Sequence, residues 1–364
     1  MARLTFAFLV MLLAAATAAA QITDTDWLNF RGDVGNGVSA SATPPTTWSD
    51  SENIAWKKKI PGNGSSSPIV VGNRVIITSA IPSAPDREIP KQLSRRELAA
   101  KLDEDGDGKL SKEERDKAIA YRAQEQKKLL QEHDFLVLCY DRSSGDLLWE
   151  KQAATGMPHE FPHSDHGYAS ASPVSDGEVV LINFGSQGLY CFDLEGNQRW
   201  KRDNLGKMKT RGTFGEGSSV AIDGDHVILP WDHEGQSRIE VINRSSGETI
   251  WKKDRDEPSN WVTPRIAEID GRKQIVQVGQ NYSRGYDLAT GDELWKASGM
   301  SQRPVSTPAL MDNIAFVSSA RGGAVLQAIR LDQQGDISST GIEWTVQSTH
   351  PISLRCCCLK IACF

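Results

Sequence analysis

Short apolar runs in this chain alternate with tight polar turns, and the alternation repeats. Ser66-Ser67-Pro68-Ile69-Val70-Val71, a Gly72-Asn73 turn and the run Arg74 to Thr78 predict a β-hairpin, because β-branched residues flank a suitable turn pair. The same hairpin is expected at Asp176-Gly177, Asp223-Gly224, Asp270-Gly271 and Asp312-Asn313, three times after Ser-Pro or Thr-Pro at Pro173, Pro264 and Pro308. A second pattern follows each hairpin and is clearest from Gly285 to Trp295 (GYDLATGDELW). It predicts a strand, a turn capped by Asp287 and opened by Gly291, and a second strand closed by tryptophan. The phrase recurs as Cys139 to Trp149, Val241 to Trp251 and, one residue shorter, Cys191 to Trp200; looser copies end at Trp56 and Trp344.

Trp149, Trp200, Trp251, Trp295 and Trp344 are 51, 51, 44 and 49 residues apart. A period of this size marks a repeat array, which can use the whole length as one domain. Hairpin plus tryptophan-ended hairpin gives four antiparallel strands in about 45 residues, the build of a β-propeller blade. The expected fold is therefore all-β: a β-propeller over 54–350 with about five complete four-stranded units and a ring left incomplete at the C-terminus. Ile54 to Ile60 is expected as an orphan strand, and 21–53 as an extended lead-in.

One unit is too long. Turn to tryptophan takes 24 residues from Asp176, 28 from Asp223 and 25 from Asp270, but 77 from Gly72 to Trp149. The excess, about 81–133, is charged and helix-forming, with Ser94 and Glu97 in capping-box spacing and a long polar helix expected from Ser111 towards Gln131.

Within that insert lies the sharpest chemical signal. Asp103 to Glu114 (DEDGDGKLSKEE) fits an EF-hand loop at each diagnostic position. Calcium wants six to eight oxygens, which a twelve-residue loop can wrap around it. Asp103, Asp105 and Asp107 supply carboxylates, Gly108 the sharp turn, Lys109 its carbonyl, Ser111 a hydroxyl or bridged water, and Glu114 the bidentate carboxylate. No second loop is present to pair with it, so the expected affinity is weak, roughly 10⁻⁴–10⁻³ M. His159-Glu160-Phe161-Pro162-His163 matches a zinc-protease pattern but is rejected, since Pro162 breaks the helix that pattern needs. A polar loop between blades is preferred there, with Asp165 and His166 nearby, and Asp232-His233-Glu234 is a second such loop.

Charge and composition refine this. The net charge of −6 offers no basic face for nucleic acid. Residues 1–20 read as a signal peptide: Arg3, an apolar run from Leu4 to Ala15, and Ala18-Ala19-Ala20 before Gln21. No membrane span is expected after cleavage, and the location is periplasmic or extracellular. Cys139 and Cys191 share one place in successive copies and are expected as buried thiols. Cys356, Cys357, Cys358 and Cys363 crowd into 351–364, an aberrant tail where the repeat fails; a truncated frame is expected.

The repeat resembles the tryptophan-docking repeat of the pyrroloquinoline-quinone (PQQ) propeller family, A-x-D-x-x-T-G-x-x-x-W. Asp287, Thr290, Gly291 and Trp295 match it, as do Asp141, Gly145 and Trp149, with Ser144 for Thr; Asn243 replaces Asp in the copy ending at Trp251. The resemblance implies that the tryptophans dock neighbouring blades. It also implies two functional classes: dehydrogenases holding PQQ and calcium in the central funnel, and cofactor-free scaffolds that hold partners. The preferred expectation is an exported, non-enzymatic calcium-binding propeller that binds a protein or other extracytoplasmic ligand on its rim. The alternative is a PQQ-dependent dehydrogenase acting on alcohols or sugars. No catalytic residues are assigned. The insert is expected beside the His159–His166 loop, on the rim where blade connections emerge.

Overall fold

The computed structural model describes residues 22–32, 35–39, 41–84, 93–161 and 166–348. The expected signal segment at 1–20, the 351–364 tail, His163 and Asp165 lie outside the described residues. Five antiparallel sheets form in chain order. Blade 1 comprises β1 (Ile69–Val71), β2 (Arg74–Pro82), β3 (His133–Asp141) and β4 (Leu147–Gly156). Blade 2 is β5 (Val174–Ser175), β6 (Val179–Asn183), β7 (Leu189–Asp193) and β8 (Gln198–Arg202). Blade 3 is β9 (Ala221–Asp223), β10 (His226–Trp231), β11 (Ser237–Asn243) and β12 (Thr249–Arg255). Blade 4 is β13 (Arg265–Ile269), β14 (Arg272–Gln277), β15 (Ser283–Asp287) and β16 (Glu293–Ala297). Blade 5 is β17 (Ala309–Met311), β18 (Ile314–Ser319), β19 (Ala324–Arg330) and β21 (Ile342–Ser348). Between β19 and β21, the short β20 (Gly335–Asp336) adds a parallel edge to β16 of blade 4.

The core lies between blades rather than inside one sheet. Leu181, Leu189 and Trp200 of blade 2 pack with Val227, Leu229 and Trp231 of blade 3. Ile228, Val241 and Trp251 of blade 3 meet Ile275, Tyr286 and Leu288 of blade 4. A middle strand is thus covered on both faces, which is why Val179-Val180-Leu181-Ile182 reads as an unbroken apolar run. The thiols of Cys139 and Cys191 are fully buried and unpaired; burial pushes both up to about 12, so they behave as small apolar groups.

Turn chemistry sets each blade's shape. Asp270 (φ 52°) and Gly271 (φ 76°) both take positive φ, as a two-residue hairpin turn with the strands' twist requires. In the second hairpin, Asp287 Oδ1 accepts from the backbone of Ala289 and Thr290 at 3.0 and 2.8 Å, and Asn243 Oδ1 does the same for Ser245 and Ser246. Asparagine serves because only an acceptor oxygen is needed. All five blades carry a register shift just after this turn, for example between Val241 and Ile242 opposite Trp251. The bulge aims the tryptophan out of its own sheet.

Four tryptophans then latch onto the next blade. The indole N–H groups of Trp56, Trp149, Trp200 and Trp251 donate to the carbonyls of Arg142, Leu194, Arg244 and Leu288 at 2.8, 2.9, 2.7 and 2.9 Å. Each ring lies flat on the turn glycine of that blade, so a Cβ on Gly145, Gly196, Gly247 or Gly291 would fall 2.6–2.8 Å from an indole carbon. Two expectations are corrected here. Ile54 to Ile60 forms no strand, because no neighbouring sheet edge pairs with it; only Trp56 docks. Trp295, in the clearest copy of the phrase, shares a core cluster with blade 5 but covers no turn glycine there: it packs on its own Gly285 and donates to Gln274 Oε1 at 2.6 Å. The longer turn of blade 5, carrying β20, occupies the edge beside it. Trp344 has no turn glycine to cover and is 38% exposed.

At the axis, neighbouring inner strands are tied by hydroxyls. Ser67 N–H donates to Ser172 Oγ (2.9 Å), Ser172 N–H to Ser219 Oγ (2.9 Å), and Ser219 N–H to Thr263 Oγ1 (3.2 Å). No strand pairing joins blade 5 to blade 1 among the described residues, and the ring is open there. The N-terminal lead-in crosses the axis instead. Trp27 pairs with Val70 of blade 1, Leu28 O accepts from Ser175 N of blade 2, and Asn36 exchanges bonds with Leu310 of blade 5.

Candidate functional site

Two regions bring chemical groups together: the loop of the insert and the funnel at the axis. The insert leaves blade 1 at Pro82 and returns at His133, which pairs across with both Pro82 and Gly156. It therefore emerges on the rim from which β4 departs towards blade 2. His133 stacks edge-on against Tyr168 of that departing connection, with ring centroids 4.7 Å apart.

Two helices flank the loop, α1 (Arg95–Leu102) and α2 (Lys112–Leu129). Ser94 and Glu97 form the full capping box at the start of α1. Asp103 closes α1, and its two carboxylate oxygens accept from Gly106 N and Gly108 N at 2.9 Å. Gly106 and Gly108 take φ of 70° and 78°, which lets the loop fold back on Asp103. Glu114, 5% exposed, accepts from Glu104 N (2.7 Å) and Ser111 N (2.8 Å), and these amides hold its carboxyl below the usual range. Carboxylate oxygens of Asp103, Asp105 and Glu114 come within 4.8 Å of one another. The Asp107 amide bond pulls the Asp105 carboxyl down. The neighbouring Asp103 side chain and the charges of Asp107 and Glu114 outweigh that and leave it raised. Of the remaining sequence-predicted ligands, Asp107 is turned to Lys109 N at 2.7 Å, Ser111 Oγ accepts from Glu114 N at 3.3 Å, and Lys109 is exposed.

His159 and Glu160 lie on non-helical chain and serve packing. Glu160 accepts from Thr210 N and Oγ1 at 3.0 and 2.7 Å, and His159 touches Met208 O and stands 3.7 Å from the half-buried Glu216. In the second polar loop, Asp232 is the partner of the fully buried Arg255 at 2.9 Å, which also reaches Tyr286 Oη. The Arg255–Tyr286 bond ties blade 3 to blade 4.

The funnel opens on the connection rim and encloses about 550 Å³. Its wall includes Ser172, Ser219, Thr263 and Thr307 at the starts of the inner strands, with Phe214, Trp261, Arg303, Val305 and Arg321 at the mouth. Phe30 of the lead-in lines both this funnel and a second cavity of about 310 Å³ towards the hairpin turns, and so divides them. Trp261 meets Phe214 edge-on at 6.0 Å, and the Arg303 guanidinium lies 4.7 Å from the Phe214 centroid. Burial, with Arg321 and Arg211 nearby, lowers the Arg303 pKa. Sequence reasoning missed this site; its residues come from four inter-blade connections, the β18–β19 loop and the lead-in, with no common motif.

A family model described as "Outer membrane protein assembly factor BamB" matches residues 133–353, more than half the chain. The chain belongs to this PQQ-like propeller family. Among solved structures, the BamB-family chain is similar to BamB from Moraxella catarrhalis at 14% identity and a TM-score of 0.39, covering 60% of this chain and 57% of that one. It is similar to a europium-containing methanol dehydrogenase at 10% identity and 0.42, covering 80% and 72%, and to the C-terminal WD40 domain of Sif2 at 12% and 0.38, covering 60% and 55%. It thus spans less than two thirds of the BamB and Sif2 chains. No curated protein matches the sequence. Among the described residues, no helix is long and apolar enough to cross a membrane.

Proposed function

We propose that this BamB-family propeller is an extracytoplasmic, non-enzymatic binding or scaffold protein whose insert carries a calcium ion on the connection rim. The observation that carries the binding reading is the donor set of the funnel. A calcium–quinone centre needs carboxylate or amide oxygens on the metal. The described lining residues instead offer hydroxyls, aromatic rings, a histidine and arginines. They do not fit that centre, so no redox step is derived through it. The test is dye-linked oxidation of alcohols and sugars after addition of PQQ and calcium. No turnover is expected, and turnover would refute the reading.

Support for calcium comes from the convergence of Asp103, Asp105 and Glu114 on a loop whose glycines and backbone amides already hold it closed. Asp107, the Lys109 carbonyl and Ser111 complete the proposed ligand set after modest rearrangement. Calorimetry should show one weak calcium site in the wild type and none in Glu114→Gln; unchanged binding in the variant would overturn the assignment. The rim position of the insert, beside the blade 1–blade 2 connection, suits a calcium-ordered lid over a partner surface.

A further inference from the structure

Blades 1 to 4 each end in a face that the next blade covers; the far face of blade 5 is the exception. In blade 3 that face holds Ile228, Val241 and Trp251, side by side on β10, β11 and β12, and blade 4 reduces them to 0%, 0% and 9% exposure. The same register in blade 5 sets Phe316, Ala328 and Trp344 side by side on β18, β19 and β21. Ile314, Leu326 and Val346 share the face, each two residues along its strand from one of these. Trp344 is 38% exposed and Val346 48%. The Trp344 ring rests on Phe316 of its own blade, with centroids 5.9 Å apart. Blade 5 thus carries an inter-blade surface that faces the opening of the ring.

Two independent observations say what this surface meets. The first is charge. The outer strands β4, β8, β12 and β16 each carry lysine or arginine, the usual device by which an exposed strand refuses partners, and β21 carries neither. Arg330, which borders the face, is neutralised within its own blade by Asp332 at 2.5 Å and Glu343 at 3.3 Å. The face is therefore apolar and neutral, and meets a copy of itself without repulsion. The second observation is the state of the other inter-blade surfaces. The turn glycines Gly145, Gly196, Gly247 and Gly291 already lie under tryptophans, and the longer turn of blade 5 is engaged with β16. No turn of a second copy is open to receive Trp344. The outer face of blade 1, where a ring would close, is filled by its own lead-in: Ile60 packs on Leu136, Leu138 and Tyr140, and Asn63 bridges Ala80. Among the described residues, each chain offers one open inter-blade face rather than two. One such face makes a closed two-fold contact, not a filament.

We infer that two copies of this chain associate through blade 5, face to face about a two-fold axis, with Phe316, Trp344 and Val346 of each sheet packed as in a β-sandwich. This goes beyond the binding reading above and does not depend on calcium. Strand spacing and rise make the face roughly 19 by 20 Å, or roughly 400 Å² in plan. That is small for a specific interface, whose partners commonly bury about 800 Å² each, so a Kd in the micromolar range is expected. Below that concentration the free chain keeps Trp344 exposed.

The test is sedimentation velocity of the full chain at about 0.1 to 100 µM, a range that spans such a Kd. Reductant keeps thiols from linking copies, and EDTA removes calcium. Exchange between monomer and dimer is expected, with no larger species. Val346→Lys brings an ammonium into the contact from both copies and should weaken association at least about a hundredfold, as facing like charges do. Met311→Lys, at a position 54% exposed on the β17 side of the same face, should act likewise and serves if the first variant misfolds. Leu148→Lys makes a comparable change on β4 of blade 1, where Leu148 is 49% exposed, and should leave association unchanged. Circular dichroism checks that the variants fold. A monomer at every concentration, growth beyond the dimer, equal weakening by Leu148→Lys, or wild-type association in folded Val346→Lys and Met311→Lys would each overturn the inference.

Discussion

Blade docking through a tryptophan on a bare glycine makes a quantitative claim that a matched pair of substitutions can isolate. Gly271 and Gly291 lie in the same blade with φ of 76° and 75°. A Cβ on Gly271 would meet nothing within 4 Å, whereas one on Gly291 would fall 2.6 Å from Trp251 Cδ2 and 2.7 Å from Cε3. Gly271→Ala therefore carries only the left-handed backbone cost, about 1–2 kcal/mol. Gly291→Ala carries that cost and must also displace a 9%-exposed indole, whose N–H bond to Leu288 O is buried. Overpacking adds about 1–3 kcal/mol, and loosening the buried hydrogen bond about 1 kcal/mol. The expected loss is then about 3–6 kcal/mol against about 1–2 kcal/mol. Urea unfolding followed by far-ultraviolet circular dichroism and by tryptophan fluorescence measures both. A second arm uses a Trp251→Ala background, where the clash is gone and Gly291→Ala should cost no more than Gly271→Ala. Equal losses for the two single variants, or a Gly291→Ala cost unchanged when Trp251 is absent, would refute docking as the inter-blade latch.

Trp344 and Trp251 end equivalent strands in different surroundings, so Trp344→Ala should cost about 1 kcal/mol and Trp251→Ala about 3–5 kcal/mol by the same unfolding assay. The Ser143 hydroxyl, with the Ser144 amide, lowers the Asp141 carboxyl from the ordinary 3.8 to about 2. A depressed folded pKa gives stability that is present above the unfolded value and lost as pH falls towards 2. Asp141→Asn, which copies Asn243, should leave the melting temperature at pH 7 nearly unchanged and flatten its decline between pH 4 and 2. If the insert is a calcium-ordered lid, calcium should slow tryptic cleavage between residues 93 and 132 in the wild type but not in Glu114→Gln. Equal cleavage rates with and without calcium would count against gating.

The five blades were legible in the sequence because their signals are local. An Asp, Asn or Gly must stand where a two-residue turn demands positive φ or a carbonyl-side acceptor, and β-branched runs must fill strands covered on both faces. The period of the tryptophans exposed the insert for the same reason. The acidic loop proposed to bind calcium was equally visible, since its candidate ligands fall within twelve consecutive residues, and the loop's own backbone brings Asp103, Asp105 and Glu114 together.

What each tryptophan touches was not local. Trp251 and Trp295 close nearly identical phrases, yet one covers the next blade's glycine and the other its own Gly285. The difference lies in the longer turn of blade 5, whose β20 takes the edge beside Trp295. The strand expected around Trp56 failed similarly: its composition suits a strand, but a strand needs a paired edge, and no sheet supplies one. The funnel is the extreme case. Phe214, Trp261, Arg303 and Arg321 are scattered over more than a hundred residues of sequence and share no spacing. Only the circular arrangement of the blades brings these segments to one axis, where they line a common cavity. The sequence by itself determined the repeat, its turns and the acidic loop of the insert, because short-range backbone geometry dictates them. The tertiary structure decided which blades latch and what the axis can bind, because those depend on surfaces that meet only after the ring has formed.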